Sequence, residues 1–412
     1  MDPGMDPAMN PAMKPAMKPG PSPVPIARTT PNPLRTTIDI APIDPKVTAF
    51  HARMPAYSPT MLFDVPMLAT QLGVGRLLVK AETRRMGLPS FKILGASWAT
   101  YRAICEHIGY EPEPWRNINE LAANLEHLKP FKLATATDGN HGRAVAFMAR
   151  LLGFSCHIYV PKGMVEARIQ AIRSEGALVT VVDGTYDEAV ARSAQEASDR
   201  CLVVSDTSWE GYETTPARVI EGYSTIFHEI DDAIDASGLR HPDIVVIPMG
   251  VGAFMAAGVS HYRANAGKAV IVGVEPLDAN CVQVSALAGE ITAVQGPHNS
   301  IMVGLNCGMP SLTAWPRLSK GIDWFASVDD EAACQAMRDL AAVGIVSGET
   351  GAAGLAGFEA LIRDDDFRSS TDLANATVLV VVTEGATDPE HYEQVVGRGH
   401  ETIGRVITAV RA

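Results

Sequence analysis

The sequence predicts an α/β fold with two open, twisted, mostly parallel sheets flanked by helices. Three observations carry this. Short apolar runs rich in Val and Ile recur along the chain, Ile244–Pro248 and Val378–Val382 among them. Amphipathic stretches of helical period separate them. The strand candidates are also too many for one small sheet. Strands apolar on both faces belong to parallel sheets covered on both sides, with helices as the crossovers.

Residues 1–36 read as a disordered tail. Met recurs at positions 1, 5, 9, 13 and 17 and Pro at 3, 7, 11, 15 and 19. Proline at every fourth position removes helix donors and favours a polyproline-like chain. Strands are then expected at Leu77–Lys80, Leu133–Thr135, Cys156–Val160, Leu178–Val182, Leu202–Ser205, Ile244–Pro248, Ala269–Val274 and Val378–Val382. Helices are expected at Ile93–Ile108, Gly142–Leu152, Met164–Ser174, Tyr186–Asp199 and Glu331–Ala342.

Composition narrows the function. A chain of 412 residues can bury a large core and make two domains. Its 34 Lys plus Arg against 47 Asp plus Glu give a net charge of −13. That balance argues against a nucleic-acid or anionic-membrane partner. Any phosphate site must therefore be built locally. The longest uncharged run, Ile244–Ser260, is short for a membrane span and is broken by Pro248, Gly250 and Gly252. No apolar signal-peptide core is visible near the N-terminus. The six cysteines are scattered, with no CxxC pair and no nearby histidines at zinc spacing. They point to free thiols in a reducing cytoplasm and to no metal site.

Five segments carry the chemistry. Pro89-Ser90-Phe91-Lys92-Ile93-Leu94-Gly95-Ala96 places a lysine at a helix start among apolar neighbours. A desolvated lysine has a lowered pKa and becomes a nucleophile and base; by itself, a lysine at a helix start is more often a solvated surface residue. Ala136-Thr137-Asp138-Gly139-Asn140-His141-Gly142-Arg143 follows a strand and opens a helix, where free N–H groups attract an anion. A plain turn with an Asn/Gly cap is the alternative. Pro248-Met249-Gly250-Val251-Gly252-Ala253-Phe254-Met255 has the same strand-to-helix setting and suits a backbone nest for phosphate. No Gly-Lys-Ser/Thr follows it, and Met255 stands where a dinucleotide fingerprint needs glycine. Ser347–Gly354 and Val382–Pro389 are polar, glycine-rich turns beside apolar stretches.

In order and spacing these five segments resemble the fold-type II pyridoxal-phosphate (PLP) enzymes, the family of tryptophan synthase β, threonine dehydratase and cysteine synthase. The resemblance runs from about Pro59-Thr60 to Asp388. It implies that Lys92 carries PLP as a Schiff base, flanked by Phe91. It implies that Asn140 meets the cofactor's O3′ and that Gly250, Val251, Gly252, Ala253 and Phe254 hold its phosphate. Thr383 would meet the pyridine nitrogen. Thr137, Gly139 and His141 belong to the loop expected to receive the substrate carboxylate.

Within that family the chain is similar to the diaminopropionate ammonia-lyases. Asp138 in the asparagine loop, the segment Ser205-Asp206-Thr207-Ser208-Trp209-Glu210-Gly211-Tyr212, and Thr383-Glu384-Gly385-Ala386-Thr387-Asp388-Pro389 carry this closer likeness. Leu94, where dehydratases commonly have Arg, also turns the reading away from threonine dehydratase. The likeness implies α,β-elimination of 2,3-diaminopropionate to pyruvate and ammonia. Lys92, Asp138 and Asp206 are then the catalytic candidates, and Asp138, Asp206, Trp209 and Tyr212 contact substrate. A serine, threonine or hydroxyaspartate dehydratase, β-replacement, and a PLP-binding protein without turnover are the alternatives. Glu349 lines the site or braces its turn; Glu82 is structural. The expected organisation is a large PLP-binding domain (37–92 and 225–412) and a small, mobile, substrate-side domain (93–224), assembled as a cytoplasmic homodimer. About 27 residues follow Gly385, so no C-terminal regulatory domain is expected.

Overall fold

The computed structural model describes residues 26–264, 267–404 and 408–410. Its strands are β1 (Ala27–Pro31), β2 (Leu62–Asp64), β3 (Arg76–Ala81), β4 (Lys132–Ala136), β5 (Ser155–Pro161), β6 (Leu178–Val182), β7 (Cys201–Val203), β8 (Ile244–Pro248), β9 (Val270–Pro276), β10 (Trp324–Val328), β11 (Thr377–Val382) and β12 (Thr408–Val410). They form two sheets. Eight strands run in the order β1-β10-β9-β8-β11-β3-β2-β12, and four in the order β6-β5-β4-β7. The four-stranded sheet is wholly parallel. The large sheet is parallel from β10 to β3 and antiparallel only at its flanks, where β1, β2 and β12 join. This is the mostly parallel, two-sheet α/β architecture that the sequence predicts.

The central strands explain themselves. β8 and β11 read Ile-Val-Val-Ile-Pro and Thr-Val-Leu-Val-Val-Val, and every residue of both is buried. β-branched side chains fit a pleat covered on both faces. The helices that position the site are α1 (Lys92–Ile108), α2 (Asn140–Leu152), α3 (Glu166–Arg173), α4 (Tyr186–Ala194), α5 (Thr214–Ser237), α6 (Ala253–Arg263) and α7 (Glu349–Leu361). α1 packs on both α2 and α5, and α5 packs in turn on α6.

Three expectations shift. Of the tail read over 1–36, residues 1–25 lie outside the described residues. Ala27–Pro31 is not tail but an edge strand, antiparallel to β10. The four-residue proline spacing has ended there, and two threonines favour the strand. The helix expected over Tyr186–Asp199 stops at Ala194. The Glu196 carboxylate accepts from Lys132 and from the Tyr159 hydroxyl, which turns the chain back to the sheet. The strand expected to reach Ser205 ends at Val203. The Ser205 N–H instead donates to the Tyr212 hydroxyl at 3.0 Å, lifting Asp206 off the sheet.

Candidate active site

Strand ends of both sheets converge on one pocket. Its wall includes Phe91, Lys92, Asp138, Gly139, Asn140, Asp206, Thr383 and the run Gly250–Phe254. Arg168, Tyr186, Met249, Leu305, Cys307, Thr350 and Glu384 complete much of the rest. A crevice beyond the C-terminal ends of parallel strands is where open α/β sheets bind ligands.

Lys92 opens α1. The Phe91 ring beside it lies 4.4 Å from Phe254 and 4.8 Å from Tyr223, centroid to centroid, so this segment is locked against α6 and α5. Pro89 accepts from the Gly385 N–H at 2.9 Å, tying the lysine segment to the Thr383–Gly385 turn. Lys92 Nζ donates to Asp206 Oδ2 at 2.8 Å.

The lysine's expected fall in pKa is not what this ion pair gives. Burial does favour the neutral amine, but the Asp206 carboxylate, with Tyr223 and Asp138 behind it, outweighs burial and holds the ammonium above its usual range. Asp206 responds in kind. Burial opposes its charge, yet His141 and Lys92 hold its carboxyl well below the usual carboxylate range. One pKa rises and the other falls, so the pair stays charged throughout neutral pH. Asp138 differs: burial pushes its pKa up, Lys92 pulls it down, and Asp206 adds to the rise. Two carboxylates beside one lysine are thus set apart by their surroundings.

The phosphate cradle is the turn from β8 into α6. Gly252 has φ of +93°, open to glycine and strained for other residues. A Cβ there would meet Leu318 at 2.2 Å. The N–H groups of Ala253 and Phe254 stand in the first turn of α6, without carbonyls of their own helix to bond. They face a pocket in a protein of net charge −13, so the anion site is built from backbone, not from basic side chains.

Other expected residues stand behind the wall. Thr137 Oγ1 accepts from the N–H groups of Gly139 and Gly142, each at 2.9 Å, and shapes the loop. His141 lies 2.8 Å from the Val204 carbonyl through Nε2, and its Nδ1 stands 3.8 Å from Asp206. It touches Asp206, not the pocket. Trp209 and Tyr212 stack on each other, centroids 4.2 Å apart, and the Tyr212 hydroxyl donates to Val203 O at 2.7 Å. They brace the Asp206 loop. Ser208 reaches further: its hydroxyl lies 2.7 Å from that of Ser311, whose N–H donates to Val251 O at 2.9 Å. The acidic loop and the phosphate turn are joined through these two serines. Glu349 is bonded to His391 and stands outside the wall. Glu82 belongs to a buried ion network with Arg85.

Sequence reasoning assigned no role to several wall residues, among them Tyr186, Glu384, Arg168 and Cys307. Tyr186 lies 3.5 Å from Asp206 and its hydroxyl is held neutral by burial and by that carboxylate. Glu384 accepts from Asn140 Nδ2 at 2.5 Å. Burial raises its pKa, Arg168 opposes, and Glu349 adds to the rise. Arg168 and Cys307 fill the remaining places. Of these four, only Glu384 lay in one of the five marked segments.

A lysine locked at a helix start, a backbone anion cradle across from it, an asparagine amide and a threonine hydroxyl between them define a class: enzymes that hold PLP on a lysine. The residues present fit that cofactor. The comparisons agree, and the chain belongs to the pyridoxal-phosphate dependent enzyme family, whose model matches residues 53–384. It is similar to diaminopropionate ammonia-lyase from Escherichia coli strain K12, 37% identical over 372 residues, which cover 86% of this chain and 91% of that one. The enzyme of the same name from Salmonella typhimurium is 34% identical over 379 residues, 86% of this chain and 92% of that one. The crystal structure of the Escherichia coli enzyme with an aminoacrylate-PLP azomethine reaction intermediate superposes with a TM-score of 0.80 at 33% identity, over 90% of this chain and 97% of that one.

Proposed function

We propose that the protein is a PLP-dependent carbon–nitrogen lyase that eliminates ammonia from 2,3-diaminopropionate, with pyruvate and a second ammonia as the final products. The observation that carries this reading is the Lys92–Asp206 pair at 2.8 Å with Asp138 in the same wall. An amine leaves a carbon only as ammonia, so its site needs acids that bind an ammonium and manage its proton. A hydroxyl leaving group carries no positive charge for two carboxylates to bind. The relatives of the same name support the reading.

Bound PLP supplies an electron sink at the substrate's Cα. The chain supplies the rest. Lys92 would hold the cofactor and, as a free amine, would take the Cα proton. Asp138 serves as the alternative base and admits the other isomer. Asp206 draws the distal ammonium into the pocket, and His141 holds that carboxylate in place. Gly250–Phe254 would anchor the phosphate, and Thr383 would offer the ring nitrogen a neutral partner. Released aminoacrylate then takes up water and gives pyruvate and ammonia.

The test is a stoichiometry. Purified holoprotein given D- or L-diaminopropionate is expected to release two ammonia per pyruvate. Turnover of serine, threonine or hydroxyaspartate alone, with one ammonia each, would establish the dehydratase reading instead. Asp138 gives a second check. A base works only when ionised, and burial raises this one's pKa. The rate with the isomer that uses it is expected to climb with pH through a limb above the ordinary carboxylate range. Asp138→Asn is expected to remove that limb and slow that isomer by about 10²- to 10⁴-fold, leaving the other isomer faster by comparison. Equal losses for both isomers would sink the assignment.

By likeness to the family, the reading includes small amino-acid substrates and a cytoplasmic homodimer. All six cysteines are free and buried, as suits a reducing compartment. Among the described residues no helix is long and apolar enough to cross a membrane. The four strands of the smaller sheet fall within 132–203, which supports 93–224 as the smaller, substrate-side unit.

A further inference from the structure

We propose that the Tyr223 hydroxyl is the uncharged partner that takes hold of Lys92 Nζ when Lys92 leaves Asp206, a positioning residue that readies the lysine as a base; this rests on the reading of Lys92 as the cofactor lysine. That reading leaves a conflict at Asp206. One carboxylate is bonded to Lys92 at 2.8 Å and must also draw in the substrate's distal ammonium. A lysine held by a carboxylate also keeps its proton, because the ion pair favours the ammonium. A working base needs a partner that is polar but uncharged. The titratable groups that act on Lys92 are Asp206, Tyr223 and Asp138, with Cys307 beside them. His141 and Tyr186 act on Asp206 in turn.

Two glycines bring the Tyr223 hydroxyl to the lysine. Gly95 stands one turn after Lys92 on the same face of α1. A Cβ there would meet Tyr223 Cε1 at 2.5 Å and Cζ at 2.7 Å. Gly222, beside Tyr223 on α5, answers it: a Cβ there would meet Leu94 O at 2.5 Å and Gly95 Cα at 2.7 Å. The two helices therefore touch backbone to backbone, and the hydroxyl end of the ring lies against the turn that carries Lys92. Phe91 and Phe254 pack edge-on to that ring, at 4.8 and 5.8 Å between centroids. Among the described residues the hydroxyl is buried without a hydrogen-bond partner. That alone says little, since Tyr262 is the same; the neighbour decides it. Burial pushes the Tyr223 pKa up and keeps the phenol neutral, and of the charged groups Lys92 acts on it most, with Asp206 next. A phenol oxygen can accept an N–H of the amine and leave the lone pair free for the substrate. When the Cα–H bond breaks, its proton passes to Nζ and its electron pair passes to the electron sink bound at Cα. Charge then appears on Nζ, and its bond to the Tyr223 oxygen strengthens, as charge-assisted hydrogen bonds do. A contact that tightens during the transfer speeds that step.

Tyr223→Phe tests this, since it removes one oxygen and keeps the ring. That oxygen has no partner while Lys92 sits on Asp206, so the melting temperature is expected to match the wild type or exceed it. With the diaminopropionate isomer that uses Lys92, kcat of the holoprotein is expected to fall by roughly 10- to 100-fold, the span of a hydrogen bond to a charged group. KM stays within a few-fold, and the isomer that uses Asp138 is slowed far less. A second readout needs no turnover. Protein stripped of PLP and mixed with it again gains its visible band only through neutral Lys92, so the rate of that gain against pH reads the lysine's pKa. It is compared in Asp206→Asn with and without Tyr223→Phe, where Lys92 has lost its bonded carboxylate. Loss of the acceptor disfavours the ammonium, so the midpoint is expected to fall by about one pH unit, a ten-fold change. An unmoved midpoint overturns the proposal. Equal losses for both isomers with a lower melting temperature also overturn it, since they mark a packing role. If diaminopropionate is not turned over, the substrate reading fails while the midpoint still decides the role of Tyr223. A wild type that gains no visible band removes the cofactor reading and this proposal with it.

Discussion

Lys92→Ala is expected to abolish turnover and to remove the visible absorption band that PLP gains on a lysine. Loss of the base alone costs about 10²- to 10⁴-fold, and loss of the anchoring amine adds to it. Lys92→Arg is expected to fail as completely, because a guanidinium does not give up its proton and is no nucleophile. The remainder of the wall should persist. Phe91 stays wedged between Phe254 and Tyr223, and the backbone cradle at Gly250–Phe254 does not depend on the amine. The alanine variant is therefore expected to bind PLP reversibly through its phosphate. Equilibrium dialysis and the visible spectrum check this together with ammonia release. A Lys92→Ala protein that kept its visible band would overturn the cofactor assignment itself.

The charge state of Lys92 shows what a sequence conveys and what it withholds. The turns that carry Lys92, Asn140, Gly250–Phe254 and Thr383 were legible because glycines and a strand-to-helix switch mark them along the chain. The central strands were legible because burial on both faces leaves mostly Val, Ile and Leu. Short flanking strands such as Leu62–Asp64 were not, since three residues show no period. The long helix Thr214–Ser237 opens on Thr-Thr-Pro, which reads as a break, though proline is tolerated in a first helical turn. Arg168 and Tyr186 sit on ordinary amphipathic helices, and nothing local distinguishes them from solvated residues. Their place in the wall comes from the fold that brings α3 and α4 against loops far away in sequence. The Lys92 pKa was misjudged for the same reason. Desolvation is a local expectation, but the carboxylate that defeats it lies 114 residues on.

Glu229→Ala is expected to be the most destabilising single change outside the pocket, by about 3–5 kcal/mol, the range for breaking a buried ion pair on one side. Glu229 accepts from Lys80 at 2.7 Å, from Arg85 at 2.7 and 2.8 Å, and from the Tyr57 hydroxyl at 2.9 Å. Arg85 also forks onto Glu82 at 2.6 and 3.0 Å. All four charged side chains are nearly sealed from water. Two cations and two anions balance. Burial opposes the Glu229 charge, but Arg85 and Lys80 outweigh it and bring its pKa down to about 2. Its contribution to stability is thus present above the unfolded carboxylate pKa and is lost as pH falls through the folded value. Removing this carboxylate leaves one buried cation without its counter-charge. Urea unfolding of the variant should show the loss at pH 7 and a smaller gap from wild type near pH 3. A loss under 1 kcal/mol at pH 7 would show that the network is not sealed. The consequence for the site is indirect but specific. Arg85 pairs with Leu88 just ahead of the lysine segment, so a loosened Arg85 frees the chain that sets Lys92 in place. The folded fraction of Glu229→Ala is therefore expected to hold cofactor less tightly while each loaded molecule turns over at close to the wild-type rate. Lys92→Ala shows the opposite: stable protein with no turnover. The two variants separate the residues that hold the lysine segment from the lysine that does the chemistry.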